Sequence, residues 1–270
     1  MATVRRAVLE DLELALFVRR IYRLTGLDLR SYKGEQLRRR LNAAMAHLGA
    51  RNLLDLANIL ERDPARIEDF HDRLTINVSE FFRDPERFQY LEEKVLPAIL
   101  QENRNPALWS AGCANGAEPY SLAMIMADLM PQGGYRILAT DIDGRVLEQA
   151  RNGDGYRWAD VRNVDPRRLA QYFRREGDRY AVVESIRRAV EFRQHNLLAD
   201  PYEKGLDLIA CRNVVIYFTE EAKNTVFTRM AQALREGGIL FVGVTEMLGR
   251  AHDRYFVSVG PGFYRRTPNN

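Results

Sequence analysis

Between residues 106 and 244 the sequence alternates short apolar strands with helical segments, and no other feature of the chain restricts the possible folds as strongly. The predicted strands cover residues 107–111, 135–140, 190–194, 206–211 and 239–244, and the predicted helices cover 119–129, 144–152 and 220–234. Strands that alternate with helices form a parallel sheet with helices on both faces. Ligands of such doubly wound sheets bind beyond the carboxyl ends of the strands, where we therefore expect the functional residues.

Two additions to the doubly wound pattern narrow the fold class. Residues 254–259 and 263–266, separated by Gly-Pro-Gly, predict an antiparallel C-terminal hairpin. An α/β sheet that ends in such a hairpin is typical of class I (Rossmann-like) methyltransferases rather than of dehydrogenases. An insertion lies between residues 153 and 189, and its segments 180–183 and 186–192 are predicted to pair as a small hairpin.

The N-terminal part of the chain has a different character. Residues 7–72 read as helical, and Leu37, Leu41, Met45 and Leu48 recur at the spacing of one buried helix face. We predict an all-α domain over residues 1–74 and a methyltransferase domain over 75–270. The second domain begins with a linker, residues 75–84, and carries the inserted β-subdomain at 156–190.

Charge is unevenly distributed along the chain. The formal net charge is +3, and residues 1–50 carry ten Lys and Arg against five Asp and Glu. A basic segment on a nearly neutral body favours a negatively charged partner, although a solvated helix surface is the alternative. Arg38, Arg39 and Arg40 lie on the sides and back of the predicted helix, away from its apolar face.

Composition excludes several classes of protein. The two cysteines, Cys113 and Cys211, provide neither a disulfide framework nor a four-cysteine zinc site, and no metal is expected. No apolar stretch approaches the roughly 20 residues of a membrane span, and no signal-peptide core follows the first arginines. A soluble cytoplasmic protein is the expectation.

A loop between the first predicted strand and its helix carries the first candidate site. Gly112 and Gly116 in this loop would let the backbone approach a ligand closely, although a tight turn explains them equally well. Asp141 ends the second strand and would accept both ribose hydroxyls of a nucleoside cofactor. Asp143 is the better helix cap, which leaves Asp141 for the ligand. The missing third glycine of the dinucleotide fingerprint and the C-terminal hairpin favour S-adenosylmethionine over NAD.

Six segments form a specific signature when taken in order: residues 75–88, 109–121, 139–143, 195–198, 211–218 and 241–246. They resemble the CheR family of chemotaxis receptor methyltransferases, which esterify glutamate side chains of chemoreceptors, and the resemblance covers nearly the whole chain. It implies S-adenosylmethionine as cofactor and S-adenosylhomocysteine as product. It also implies chemoreceptor methylation helices as the partner, with no nucleic acid, membrane insertion or metal.

The resemblance also implies roles for individual residues. The cofactor-binding set is Asn77, Ser79, Arg83, Gly112, Glu118, Asp141, Asn196, Leu197, Arg212 and Asn213. In this set, residues 77–83 belong to a linker that closes over the cofactor, Glu118 suits its ammonium group, and Asn196 and Leu197 lie near its adenine. Arg212 and Asn213 end the fourth strand beside the transferred methyl. Arg83 and Tyr217 are the catalytic candidates, and Arg38, Arg39 and Arg40 would contact the receptor.

Structural interpretations of the same residues remain open. Asn196 and Ser79 would also serve as helix caps, Arg212 as a surface ion pair and Tyr217 as a core aromatic residue.

The short turn at residues 175–178 argues against docking of a receptor tail peptide on the insertion. A sensor or adaptor module with little catalysis, or a methyltransferase of another substrate class, is the alternative function. A base-methylating enzyme is disfavoured because residues 212–215 contain no proline.

Overall fold

The computed structural model describes residues 2–74 and 79–268. The chain divides into two compact units. The first, here called the helical unit, contains the N-terminal helices together with Tyr217–Lys223. The second, the sheet unit, contains the described residues from 79 to Ile216 and from Asn224 onward. The segment that follows the predicted fourth strand therefore joins the helical unit, although it lies far from the N-terminus in sequence.

Four helices build the helical unit: α1 (Ala2–Thr25), α2 (Gly34–Leu48), α3 (Leu53–Arg62) and α4 (Arg66–Leu74). Gly49 ends α2 in the left-handed conformation, with φ of 72°, and Asn52 caps α3 by accepting a hydrogen bond from the Asp55 amide. The predicted apolar face of α2 is largely confirmed. Its buried residues include Ala44 in place of Met45, which is half-buried.

Nine strands build the sheet unit: β1 (Ala107–Ala111), β2 (Arg136–Asp141), β3 (Phe173–Glu176), β4 (Arg179–Val182), β5 (Val190–Gln194), β6 (Leu206–Cys211), β7 (Leu234–Val242), β8 (Phe256–Gly260) and β9 (Phe263–Arg266). Seven of them form one sheet in the order β5-β2-β1-β6-β7-β9-β8. The first five run parallel, whereas β9 pairs antiparallel with β7 and β8 antiparallel with β9. The predicted class I methyltransferase sheet with its C-terminal hairpin is confirmed.

Helices follow or connect most of these strands: α5 (Pro85–Tyr90), α6 (Leu96–Glu102), α7 (Ala117–Leu129), α8 (Gly144–Asn152), α9 (Trp158–Val161), α10 (Pro166–Tyr172), α11 (Glu184–Arg187) and α12 (Glu220–Ala233). A single π-helical stretch, Leu91–Val95, joins α5 to α6. Every residue of α7 from Ala117 to Met126 is buried, which explains its almost continuous apolar sequence. Strand order reverses between β1 and β6, and this switch point is where ligands of such sheets bind.

The insertion forms a different hairpin from the predicted one. β3 pairs antiparallel with β4, from Phe173↔Val182 to Glu176↔Arg179, so the turn consists of Gly177 and Asp178. The predicted pairing of 180–183 with 186–192 is wrong, because residues 184–187 form α11 and residues 190–194 form β5 of the main sheet. A two-residue turn with Gly177 at φ of 65° closes the local hairpin with a short loop, which favours this pairing.

Candidate functional site

Backbone strain marks the candidate site. Among the described residues, four that are not glycine have positive φ: Phe82 (51°), Asp84 (60°), Ala114 (46°) and Asn213 (61°). Phe82 and Asp84 lie in or beside the predicted linker, Ala114 in the loop after β1, and Asn213 directly after β6. Left-handed backbone at such residues costs free energy and persists only where surrounding contacts enforce it, and it concentrates at functional sites.

Gly112 is required by close packing between two of these loops. Its φ is +79°, and a Cβ atom at this position would lie 2.4 Å from Cγ2 of Val214. Val214 follows β6, so the loop after β1 rests directly on the loop after β6. The two loops that flank the switch point therefore form one packed surface, which only glycine at position 112 permits.

Asp141 stabilises the loop after β1 from the end of β2. Its Oδ2 accepts a hydrogen bond from the Ala114 amide (2.9 Å), and its Oδ1 accepts one from the Asp143 amide (3.0 Å). Asp143 caps α8 as predicted, but Asp141 is more engaged than expected. Burial raises the pKa of Asp141, against the lowering effect of these amides. A carboxylate offers about four acceptor positions, so capacity for ribose hydroxyls remains.

Glu118 is a second buried carboxylate, at the start of α7. Ser110 Oγ donates a hydrogen bond to its Oε1 (2.7 Å), and Arg212 Nη1 lies 3.5 Å from its Oε2. Burial raises the pKa of Glu118, and the positive charge of Arg212 opposes that shift. A buried carboxylate with one distant cationic partner is suited to a second cation, such as an ammonium group.

Arg212, at the end of β6, is a buried charge of the site, with 2% of its side chain exposed. Its Nη2 donates to the Arg83 carbonyl (2.7 Å) and to Asp84 Oδ2 (2.6 Å). Its guanidinium carbon lies 5.2 Å and 4.6 Å from the ring centroids of Phe88 and Phe241. The guanidinium therefore fixes the end of the linker and is not a surface ion pair.

Glu246 is a site residue to which the sequence analysis assigned no role. Its side chain accepts hydrogen bonds from three backbone amides, those of Asn213 (2.5 Å), Val214 (2.8 Å) and Gly243 (3.0 Å). Only 3% of the residue is exposed. Burial raises its pKa, and the three amide hydrogen bonds oppose that shift. Glu246 thus holds Asn213 in its left-handed conformation. The sequence feature that could have identified Glu246 is its position as an acidic residue in the 241–246 motif, directly after an apolar strand.

The turn after β5 contains Asn196 and Leu197. The Asn196 side chain accepts a hydrogen bond from the Leu198 amide (2.9 Å), which is the local turn interaction expected of a cap. Leu197 is buried, and its carbonyl accepts hydrogen bonds from Tyr202 Oη and Arg229 Nη1, both at 2.7 Å. This turn is rigidly held beside the end of β2, since the His195 amide donates to the Asp141 carbonyl.

The described part of the linker contacts the loop after β1. Asn115 Nδ2 donates to the Ser79 carbonyl (3.4 Å), and the Phe81 amide donates to the Asp160 carbonyl of the insertion (2.9 Å). The Arg83 carbonyl accepts the hydrogen bond from Arg212. Asn77 lies outside the described residues. Of the predicted cofactor-binding set, the structure thus brings the described members together at the carboxyl ends of β1, β2, β5 and β6.

The remaining predicted residues belong to the helical unit. Tyr217 lies in the segment that joins this unit, and Arg40 of α2 stacks over its ring, with 5.3 Å from the guanidinium carbon to the ring centroid. Arg38 and Arg39 are exposed on α2, whereas Arg40 is half-buried. The three arginines, predicted as one receptor-contacting group, therefore have different environments.

Across residues 2–74 and 79–268, no cluster of three or more His, Cys, Asp or Glu side chains has the arrangement of a metal site. Within the same residues, no helix has the length and apolar character needed to span a membrane.

Comparison with known families decides the assignment. Residues 77–261 match the family described as CheR methyltransferase, SAM binding domain, and residues 12–75 match CheR methyltransferase, all-alpha domain. The chain belongs to the CheR family. It is therefore an S-adenosylmethionine-dependent methyltransferase that functions in chemotaxis, and the resemblance inferred from six motifs is confirmed.

Individual CheR relatives match along most of their length. A chemotaxis protein methyltransferase of Listeria monocytogenes is 38% identical over 93% of this chain and 96% of its own. Chemotaxis protein methyltransferase 1 of Pseudomonas aeruginosa is 36% identical over 89% and 92%. The Escherichia coli chemotaxis protein methyltransferase is 31% identical over 93% and 89%.

The residues at the strand ends fit S-adenosylmethionine. The cofactor carries an ammonium group, a ribose diol and an adenine, and the site offers two buried carboxylates, Glu118 at the start of α7 and Asp141 at the end of β2. We propose that Glu118 binds the ammonium group and Asp141 the ribose. Asn196 and Leu197 are the candidates for the adenine, while Ser79, Arg83 and the Gly112 loop would enclose the rest.

Cofactor affinity is expected to rise with pH between pH 5 and pH 7, that is, above the ordinary glutamate pKa of about 4.3. The reason is that burial raises the pKa of Glu118, and only the ionised carboxylate attracts an ammonium group. The measurement is calorimetric titration with S-adenosylhomocysteine across this range. The Glu118→Gln variant should bind more weakly, and its affinity should change less with pH. A parallel pH response in both proteins would remove Glu118 from this role.

Proposed function

We propose that this CheR protein transfers the methyl group of S-adenosylmethionine to glutamate side chains of chemoreceptors and forms glutamyl methyl esters. The names of its relatives place them in chemotaxis, and the resemblance to the CheR family implies glutamate carboxylates of chemoreceptor helices as the acceptors. The observation that carries the proposal is the set of charges at the strand ends: two buried carboxylates suited to the cofactor, and one arginine, Arg212, already committed to the linker.

The proposed acceptor needs no general base. A glutamate side chain has an ordinary pKa of about 4.3 and is ionised at pH 7. His195, at the end of β5, does not have the environment of a base. Its Nε2 lies 3.2 Å from the Pro201 carbonyl, its ring packs on Trp109 and Tyr202, and burial lowers its pKa. The arrangement agrees with transfer to an acceptor that is already anionic.

The chain contributes alignment and exclusion of water. The sulfonium of the bound cofactor supplies an activated methyl group. The residues of this chain must bring the acceptor oxygen into line with that methyl group and keep water out. Because the acceptor loses charge in the transition state, a tight ion pair with Arg83 would stabilise the ground state more than the transition state. We therefore assign Arg83 to positioning the acceptor or the cofactor carboxylate, and Tyr217 to orienting the acceptor.

Substitution of these two residues is expected to separate rate from affinity. Arg83→Ala and Tyr217→Phe should lower the methylation rate about tenfold or more, as expected for loss of a group that positions reacting atoms. The affinity for S-adenosylhomocysteine should fall much less. Initial rates with labelled cofactor, together with calorimetric binding, measure both quantities. An affinity that collapses in step with the rate would assign the residues to cofactor binding alone.

The direct test of the proposed function is the chemical stability of the product. The protein is incubated with methyl-labelled S-adenosylmethionine and chemoreceptor cytoplasmic fragments, and the labelled product is treated with mild alkali. Release of the label as methanol identifies a carboxyl methyl ester. Label that transfers but resists alkali indicates N-methylation and contradicts the proposal. Cofactor binding without any transfer to a panel of receptors favours the sensor or adaptor alternative.

Methylation is further proposed to be independent of a receptor tail peptide. The β3–β4 hairpin, which would have to present a docking surface, has only four residues per strand and a two-residue turn. The same assay on receptor fragments with and without their C-terminal peptides should give equal rates. A rate that falls on removal of the peptide would contradict this part of the proposal.

A further inference from the structure

Arg40 differs from the two exposed arginines that precede it on α2. It is half-buried, and its Nη1 donates a hydrogen bond to the Leu74 carbonyl at the end of α4 (2.6 Å). Its guanidinium also lies over the ring of Tyr217. Burial lowers the pKa of Arg40, and its proximity to Tyr217 opposes that shift. A guanidinium with these two contacts is committed to the interior of the helical unit, unlike those of Arg38 and Arg39.

The main chain around Tyr217 is fixed separately from its ring. The Lys33 amide donates to the Tyr217 carbonyl (2.9 Å), and the Thr219 amide donates to the Ser31 carbonyl (2.8 Å). The neighbouring Phe218 packs edge-on against Tyr32, with ring centroids 5.3 Å apart. These contacts hold the backbone of the segment, but they do not determine the direction in which the Tyr217 side chain points. The guanidinium of Arg40 lies over a face of that ring.

We propose that Arg40 is a positioning residue for methyl transfer, which holds the ring of Tyr217 and the end of α4 and does not contact the receptor. The proposal rests on the proposed function, in which Tyr217 orients the acceptor. A guanidinium placed over an aromatic face is attracted to the ring itself, so this contact restricts the position of the Tyr217 ring.

The second contact of Arg40 gives the same side chain an additional role. Leu74 is the last residue of α4 and immediately precedes the segment that carries the predicted linker. One guanidinium therefore holds both the residue before the linker and the ring of the second catalytic candidate. Both contacts lie within the helical unit, so their loss should act on the alignment of reacting groups and not on the charge that meets the receptor.

The experiment compares two variants on the same helix. Arg40→Met keeps an unbranched side chain but removes the guanidinium and its charge, and Arg39→Met is the matched control. Initial rates are measured against receptor concentration at low salt and at about 150 mM salt, where exposed charges are screened. Arg40→Met is expected to lower kcat about tenfold, the effect of losing a partly desolvated cation–π contact. Its KM for the receptor and its salt dependence should stay as in the wild type. Arg40→Lys should recover part of the rate.

The control should behave in the opposite way. Arg39→Met is expected to raise KM for the receptor at low salt and to lose this effect at the higher salt concentration. If Arg40→Met instead reproduces the KM increase and salt dependence of Arg39→Met, Arg40 contacts the receptor and the proposal is overturned.

A double-mutant cycle separates failure of this proposal from failure of the proposed function. With Tyr217→Leu as the second change, the fold-loss in kcat of the double variant should be smaller than the product of the two single losses, since Arg40 acts in part through that ring. If the wild type forms no methyl ester, the proposed function fails, and the role of Arg40 in methyl transfer fails with it. If the wild type is active, additive effects in the cycle overturn the proposal for Arg40 alone, and coupling between the two positions supports it.

Discussion

Arg212→Met is expected to lower the free energy of unfolding of the sheet unit by about 3–5 kcal/mol, the usual result of removing one partner from a buried ion network. Only 2% of the Arg212 side chain is exposed, and it is shared between Asp84 and Glu118. Asp84 is one-third exposed, so water compensates it in part. Glu118 is buried and would lose the positive charge that opposes the rise in its pKa.

The same substitution should weaken cofactor binding, since loss of the positive charge of Arg212 shifts the pKa of Glu118 further upward. The protonated form of Glu118 would no longer attract the ammonium group. The linker would also lose the hydrogen bonds from Arg212 to Arg83 and Asp84. Urea unfolding measures the stability, and calorimetric titration with S-adenosylhomocysteine measures the affinity.

The matched control is Arg188→Met, since Arg188 forms a solvent-exposed i,i+4 pair with Glu184 in the same unit. Such pairs contribute little, so both measurements should stay close to those of the wild type. An Arg212→Met protein that is as stable as this control would show that Phe88 and Phe241 pack equally well around methionine. The network would then be dispensable for folding, and the affinity alone would report its function.

The main sheet was predictable because its signal is local. β1, β2, β6 and the second half of β7 appear as short apolar runs, and helices of recognisable period follow β1 and β2, so these strands could be placed before any contact was known. The edge strand β5 was also predicted, although only Val190 in it is buried. The insertion was not predictable in the same way. Residues 173–176 contain one apolar residue and three charged ones, and their pairing with β4 depends on the Gly177 turn more than on hydrophobic pattern.

The candidate site was likewise predictable only in part. Residues that follow strands, such as Asp141 and Asn196, were found because their position in the chain determines their position at the sheet edge. The use of Arg212 was not found, because it depends on contact with Asp84, which lies 128 residues earlier. The environment of Tyr217 also depends on a helix near the N-terminus. The position of a residue in the sequence predicts whether it lies at the edge of the sheet. It does not predict which of these residues fix the others through hydrogen bonds or ion pairs.

Glu246→Ala is expected to reduce the methylation rate more than loss of a single side-chain contact to the cofactor would. The reason is that Glu246 holds the backbone of the loop after β6. Three buried amides, those of Asn213, Val214 and Gly243, would lose their acceptor. Each unsatisfied buried donor costs about 1–3 kcal/mol unless the loop rearranges to reach water. Rearrangement is the cheaper outcome, since Asn213 is held at φ of +61° against its own preference.

A rearranged loop would disturb Gly112 as well, because Val214 packs directly against that residue. We therefore expect the methylation rate to fall about 100-fold, as for misplacement of groups that align reacting atoms. Glu246→Gln is the informative intermediate. Its single side-chain oxygen can keep the two amides of Asn213 and Gly243, which share Oε2, and leaves Val214 without its acceptor.

The expected order of rates is therefore wild type, then Glu246→Gln, then Glu246→Ala, and unfolding free energies should follow the same order. Glu176→Gln, at an exposed position on β3, serves as the control and should match the wild type. If both Glu246 variants lose stability but keep the rate, the loop does not need its strained conformation for catalysis. If they lose the rate and retain stability, the strain at Asn213 is maintained by Glu246 for the reaction and is not needed for folding.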